Sequence, residues 1–143
     1  MTGVTVKATI SDLAVPVIDD ATITAWIEDR LNDGRNTFVR SVSRGGGGGR
    51  VYGRRKHHAS APGEYPVTDG GRLVNSVDTQ MHGAREGALT SDVLYAAWLT
   101  DGTKRMAPRK MLKDALTEAL TARPQEDQLA KAVKLTETTT YGK

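Results

Sequence analysis

A chain of 143 residues, 38% hydrophobic and only 5% aromatic, has the size of one domain and must build its core mainly from Leu, Val, Ile and Ala. It contains no cysteine, which excludes disulfides, thiolate nucleophiles and cysteine-based zinc sites. The net charge of +3 conceals an asymmetry: no acid stands between Asp33 and Glu64, where Arg35, Arg40, Arg44, Arg50, Arg54, Arg55 and Lys56 all fall, so the rest of the chain is mildly acidic.

Along the chain, Val4, Val6, Ala8 and Ile10 alternate with polar neighbours and predict a short strand or an extended arm. Asp19 or Asp20 then caps the longest predicted helix, roughly 20–43, in which Ile23, Trp26, Ile27, Leu31, Phe38 and Val42 recur in helical phase. Asn32-Asp33-Gly34 lies inside it. Because the apolar phase survives from Leu31 to Phe38, the expectation is a continuous or kinked helix despite a glycine cost of about 1 kcal/mol. Five consecutive glycines, Gly45 to Gly49, follow and open a loop predicted to be flexible over 44–66, ending in Ala59-Ser60-Ala61-Pro62-Gly63-Glu64-Tyr65-Pro66.

Thr68 or Asp69 caps a short helix through Arg72 to Val77, and residues 77–83 and 85–91 suggest two short strands turning at Gly83-Ala84. Ser91-Asp92 starts another short helix, in which Leu94 pairs with Trp98 and Tyr95 with Leu99, and which stops at Asp101-Gly102. Pro108 suits the first turn of a further helix whose stripe of Met111, Leu112, Ala115, Leu116, Ala119 and Leu120 ends before Pro124. Residues 125–143 read as a polar tail with a helical turn or two near Leu129. The predicted fold is α+β, a single domain over 1–143 with one long N-terminal helix, short helices, a small antiparallel sheet, and a flexible loop and terminal arms. Leu73, Trp98, Leu112 and Leu116 are predicted to share its core.

Catalytic constellations are missing from this sequence: there is no G-x-S-x-G elbow, no H-E-x-x-H, no Walker-type phosphate loop, and no G-x-G-x-x-G between strand and helix. The glycine run follows a helix instead of a strand, the wrong context for a phosphate cradle. His57, His58 and His82 read as solvated residues, since no acid lies within five residues of the first two. Ser60, His58 and Asp69 are triad residue types on a loop that lacks the rigidity catalysis needs. The expectation is a non-enzyme without a cofactor or metal.

Two basic clusters remain. Arg44, Arg50, Arg54, Arg55 and Lys56 are candidates for contact with a polyanion, either nucleic-acid phosphate or an acidic protein face. Lys104, Arg105, Arg109 and Lys110 crowd the start of the predicted final helix, where the macrodipole disfavours cations, and are candidates for a subunit or partner contact. A small nucleic-acid-binding protein using residues 44–58 is the alternative reading. The N-terminus lacks a charged leader followed by an apolar run, and no stretch approaches the roughly 18 apolar residues of a membrane span, so a soluble protein is expected.

Four segments in order carry a resemblance: Ala59 to Pro66, Thr68-Asp69-Gly70-Gly71-Arg72-Leu73-Val74-Asn75-Ser76-Val77, Leu94-Tyr95-Ala96-Ala97-Trp98-Leu99-Thr100-Asp101-Gly102-Thr103, and Lys104-Arg105-Met106-Ala107-Pro108-Arg109-Lys110-Met111-Leu112. Together they resemble the neck and tail-completion proteins of tailed bacteriophages, which show S-A-P-G-x-x-P, T-G-R-L-x-x-S-I, Y-A-x-x-x-E-x-G-T and M-x-A-R-P-F-L-like segments. The likeness spans about residues 57–120. Thr100-Asp101 replaces the usual glutamate or phenylalanine before Gly-Thr, and no aromatic follows Pro108 closely. The resemblance implies an α+β virion protein, assembled in the bacterial cytoplasm, that forms a homo-oligomeric ring, six-fold or twelve-fold. The ring would lie between head-closure proteins and the tail terminator or tail tube, around the DNA channel and with contact to channel DNA, and with no membrane association.

Overall fold

A computed structural model of the chain describes residues 2–11, 18–43, 51–52, 57–58, 65–66, 72–104, 107–121, 129 and 132–141. In chain order these give β1 (Thr2–Ile10), α1 (Asp20–Ser43), β2 (Val51–Tyr52), β3 (His57–His58), α2 (Arg72–Ser76), β4 (Val77–Gly83), β5 (Glu86–Ser91), α3 (Leu94–Asp101), α4 (Leu112–Thr121) and β6 (Val133–Tyr141). The fold is α+β, with a four-stranded antiparallel sheet in the order β4-β5-β1-β6.

The alternation in β1 sets the layers. Val4, Val6, Ala8 and Ile10 are buried on one face, opposite Leu89 of β5 and Leu135 of β6, and α1, α3 and α4 pack on that side. The other face carries Thr5, Lys7 and Thr9, in register with Ala88 and Thr90 of β5, Asp78 and Gln80 of β4, and Lys134, Thr136 and Thr138 of β6. It is polar and small-chained, as a sheet with one wet face requires.

Helix α1 is continuous. Asp19 caps it, its carboxylate accepting from the Thr22 amide at 2.8 Å, which holds the Asp19 carboxyl below its usual range. Ile23, Ile27, Leu31, Phe38 and Val42 are all buried, as the periodicity predicts. Gly34 fills the seven-residue step between Leu31 and Phe38, at the crossing with α4. A Cβ there would lie 3.0 Å from Leu116 Cδ1 and 3.2 Å from Leu116 Cα. The glycine that threatened to break the helix is what lets a second helix approach it.

Five expectations need correction. Trp98 is 43% exposed and does not share the core of Leu73, Leu112 and Leu116, because α3 turns Ala96 and Ala97 inward; small side chains let the helix lie close to the sheet. Pro108 does not open a helix: α4 begins at Leu112, where the Asp114 carboxylate accepts from the Met111 amide at 3.1 Å and fixes the start four residues later. The polar tail contains a nine-residue strand, β6, paired along its whole length with β1. Thr2–Ile10 is therefore a strand, the first of the two forms expected there, and lies inside the sheet instead of forming a terminal arm. Within the predicted loop, Val51–Tyr52 pairs with His57–His58 as a short hairpin, and Tyr65 meets Phe38 edge-on at 6.2 Å, tying the loop's end to the core. Gly45 to Gly49 lie outside the described residues.

Arg30, 2% exposed, was not anticipated. It sits in the middle of α1 with ion pairs to Asp29 and, at 3.1 Å, to Asp33, and its guanidinium lies 6.0 Å from the Trp26 ring centroid. Two carboxylates and an aromatic face compensate the desolvated charge.

Candidate functional site

The connector between α3 and α4 holds the second basic cluster. Gly102, at φ 80°, ends α3 by returning its amide to the Trp98 carbonyl at 2.7 Å, a conformation open to glycine. Lys104 is exposed just beyond, and Arg105 lies outside the described residues. The Arg109 amide then donates to the Leu99 carbonyl at 2.8 Å, which folds the connector back along α3, and its guanidinium reaches the Ala107 carbonyl at 2.5 Å. Lys110 places its ammonium 5.7 Å from the centroid of the Tyr65 ring.

The electrostatic conflict that singled out these cations is removed by the late start of α4. The first turn of the helix carries an acid, Asp114, as the macrodipole favours, and the cations precede it on the connector. Acids also stand near. The Tyr65 hydroxyl donates to Glu118 at 2.9 Å, and burial followed by the Glu118 hydrogen bond and the negative charges of Glu118 and Asp114 pushes that phenol far up. Lys110 thus lies above a ring whose hydroxyl is anchored to a carboxylate of its own chain.

Among the described residues, parts of the four resembling segments meet. Tyr65, from the first, meets Lys110, from the fourth. Burial pushes the Tyr95 phenol, from the third, upward, and the positive charge of Arg72, from the second, is the first of the influences that oppose it. Leu99, from the third, holds Arg109, from the fourth. Arg44, Arg50, Arg54, Arg55 and Lys56 lie outside the described residues, as do Ser60 and Asp69. Among the described residues no group of three His, Asp or Glu side chains is placed to hold a metal, and no helix is long and apolar enough to cross a membrane.

Sequence reasoning missed the end of β6. Thr139 Oγ1 and Tyr141 Oη donate to one oxygen of Asp101, at 2.6 and 2.7 Å, latching the last strand to the end of α3. The β-branched run Thr138-Thr139-Thr140 before Tyr141 was the available signal for a strand. The Thr139 bond first, and the Tyr141 bond second, hold the Asp101 carboxyl below its ordinary range. A depressed carboxyl pKa means that the latch is in force above the ordinary Asp range and is lost as pH falls through the folded-state value. Glu137 has the opposite sign. Loss of surrounding water raises it, reinforced by Asp101 and Asp114 and opposed by Lys113, so its contribution favours the fold at low pH and fades as pH rises through the raised value. Amide exchange in β6, corrected for intrinsic rates, is expected to accelerate on acidification in a Glu137→Gln background. In Asp101→Asn it should be fast already at neutral pH, and a β6 equally protected in both variants at all pH values would refute the latch.

No protein-family model, no curated protein and no solved structure matches this chain.

Proposed function

We propose that the chain is a structural subunit of a tailed-phage virion, of the neck or tail-completion type, working by assembly into a homo-oligomeric ring that joins the DNA-filled head to the tail around the DNA channel. The observation that supports this reading is that, among the described residues, Tyr65 of the first segment meets Lys110 of the fourth, and Leu99 of the third holds Arg109 of the fourth, beside the connector to α4. Scattered chance likenesses have no reason to pack together. In this reading the ring's neighbours are head-closure proteins on one side and tail-terminator or tail-tube proteins on the other, and Lys104, Arg109 and Lys110, on the connector, with Arg105, offer cations to an acidic face of one of them.

The decisive experiment removes the chain from an otherwise complete phage. Filled heads and finished tails are expected to accumulate unjoined, and purified protein added to the lysate should restore joining. Joined, infectious particles formed in its absence would overturn the proposal. A finer prediction reverses two charges: Arg109→Glu with Lys110→Glu should leave the subunit folded, because neither side chain is in the core, yet block its incorporation into particles. Normal incorporation would remove the connector from the contact surface and leave the wider proposal standing on the deletion.

A further inference from the structure

The two edges of the sheet are unlike. Ile10 donates its amide to the Arg85 carbonyl on the β5 side, at 2.9 Å, so the even-numbered residues of β1 hydrogen-bond toward β5 and the odd-numbered ones toward β6. Carried through the registers, this alternation turns the backbone groups of Val77, Thr79 and Met81 to the outer edge of β4, and those of Val133, Leu135, Glu137, Thr139 and Tyr141 to the outer edge of β6.

The β4 edge is closed by its own chain. Arg35 Nε donates to the Val77 carbonyl at 3.0 Å, the Asp78 carboxylate accepts from the Thr79 amide at 2.8 Å, and the register shifts at a bulge between Met81 and Gly83. These are the devices by which proteins blunt a sheet edge. β6 lacks such hydrogen bonds and such a bulge among the described residues: nine residues pair with β1 in unbroken register, contain no proline, and make no backbone hydrogen bond along the outer side. Among the described residues its guards are two charges, Lys134 near one end and the inward-pointing Glu137, and neither engages the outer backbone groups.

We infer that β6 pairs edge to edge with β6 of a second copy, antiparallel about a two-fold axis at Thr138, making one eight-stranded sheet. The side chains select this partner and this register. Pairing centred on Glu137 would set two carboxylates opposite each other, and pairing centred on Thr136 would set Leu135 against Glu137. Centred on Thr138, Leu135 meets Tyr141, which is 46% exposed in the single chain, and Glu137 meets Thr139. On the outer face Thr136 meets Thr140 and the two Thr138 side chains meet at the axis, where cross-strand threonine pairs are favourable. A head-to-tail pairing of β6 with β4 is disfavoured because the amide and carbonyl it needs on β4 are already engaged.

An isologous contact closes at two copies, so it is distinct from the head-to-tail interface a neck ring requires, and the inference stands apart from the neck reading. The chain has no native cysteine, which makes the test clean. Thr138→Cys is expected to give a disulfide-linked dimer under mild oxidation, because directly opposed residues of a non-hydrogen-bonded antiparallel pair have Cα atoms about 4.5 Å apart, within disulfide reach. Lys7→Cys, on the same face of an interior strand, should not cross-link. Glu137→Pro removes an outward amide while sparing every β1–β6 rung, and should weaken wild-type dimerisation in sedimentation by about tenfold or more with the fold intact. A wild-type protein that stays monomeric at all accessible concentrations, or a Thr138→Cys variant that links no faster than Lys7→Cys, overturns the inference. A ring that assembles while the Thr138→Cys variant forms no link leaves the neck proposal intact and sinks this one. A linked dimer that never enters a ring does the reverse.

Discussion

Replacing Leu116 by Ala should lower the unfolding free energy by about 2–5 kcal/mol, the range for emptying a fully buried leucine site. Leu116 has no exposed surface and lies where α4 crosses α1 at Gly34, so the void opens between two helices whose backbones are already close. Collapse into it is limited, since Leu31, Phe38 and Leu112 around the crossing are themselves buried and held by their own helices. Urea denaturation followed by circular dichroism gives the number directly. A loss under about half a kilocalorie would place Leu116 at the surface and undo the phase of α4.

The same crossing shows what the sequence makes legible. A stripe of Met111, Leu112, Ala115, Leu116 and Ala119 announces a buried helix face without reference to any partner, because 3.6-residue periodicity is a local property. α1 was readable for the same reason, and the β4–β5 hairpin because Gly83 adjoins its turn, which falls at Ala84-Arg85, one residue later than the expected Gly83-Ala84. β6 was not. Its burial alternates only weakly, since it is an edge strand with one face wet, and its pairing with β1 links residues about 130 positions apart, which no local pattern encodes. Trp98 misled for a related reason: a tryptophan on an apolar helix suggests a core residue, but which face α3 buries is decided by the close approach that Ala96 and Ala97 permit.

Less of the candidate site was readable. Charge clusters can be counted in a sequence, yet their meaning depends on where helices begin. Four cations looked misplaced only while α4 was taken to start at Pro108, and the Asp114 cap moves that start to Leu112. The contact of Lys110 with Tyr65 and the Asp101 latch on Thr139 and Tyr141 join residues 38 to 45 positions apart, through side chains that carry no motif. What the sequence did carry was the order of the four segments; the contacts of Tyr65 with Lys110 and of Leu99 with Arg109 are tertiary facts that order alone could not supply.

Gly3→Ala should be nearly as damaging as the loss of Leu116, although it adds a single methyl near the start of the chain. Gly3 holds φ at 119°, a region that L-residues seldom enter and that costs about 1–3 kcal/mol when forced. The added Cβ would also fall 1.9 Å from the Ser91 carbonyl oxygen and 2.9 Å from Asp92 Cα, backbone atoms with no rotamer to move away. Relief requires β1 to part from β5 at Val4–Ser91, and Ser91 is held in turn by a 2.7 Å hydrogen bond between its hydroxyl and that of Ser76. The expected result is a loss of about 2 kcal/mol or more, with early amide exchange at both ends of the β1–β5 ladder. Gly83→Ala provides the control, since a Cβ there meets nothing within 4 Å, and it should change stability by no more than about half a kilocalorie. Equal effects at the two glycines would mean that the start of β1 does not lie against Ser91, and the central position of β1 in the sheet would fall with it.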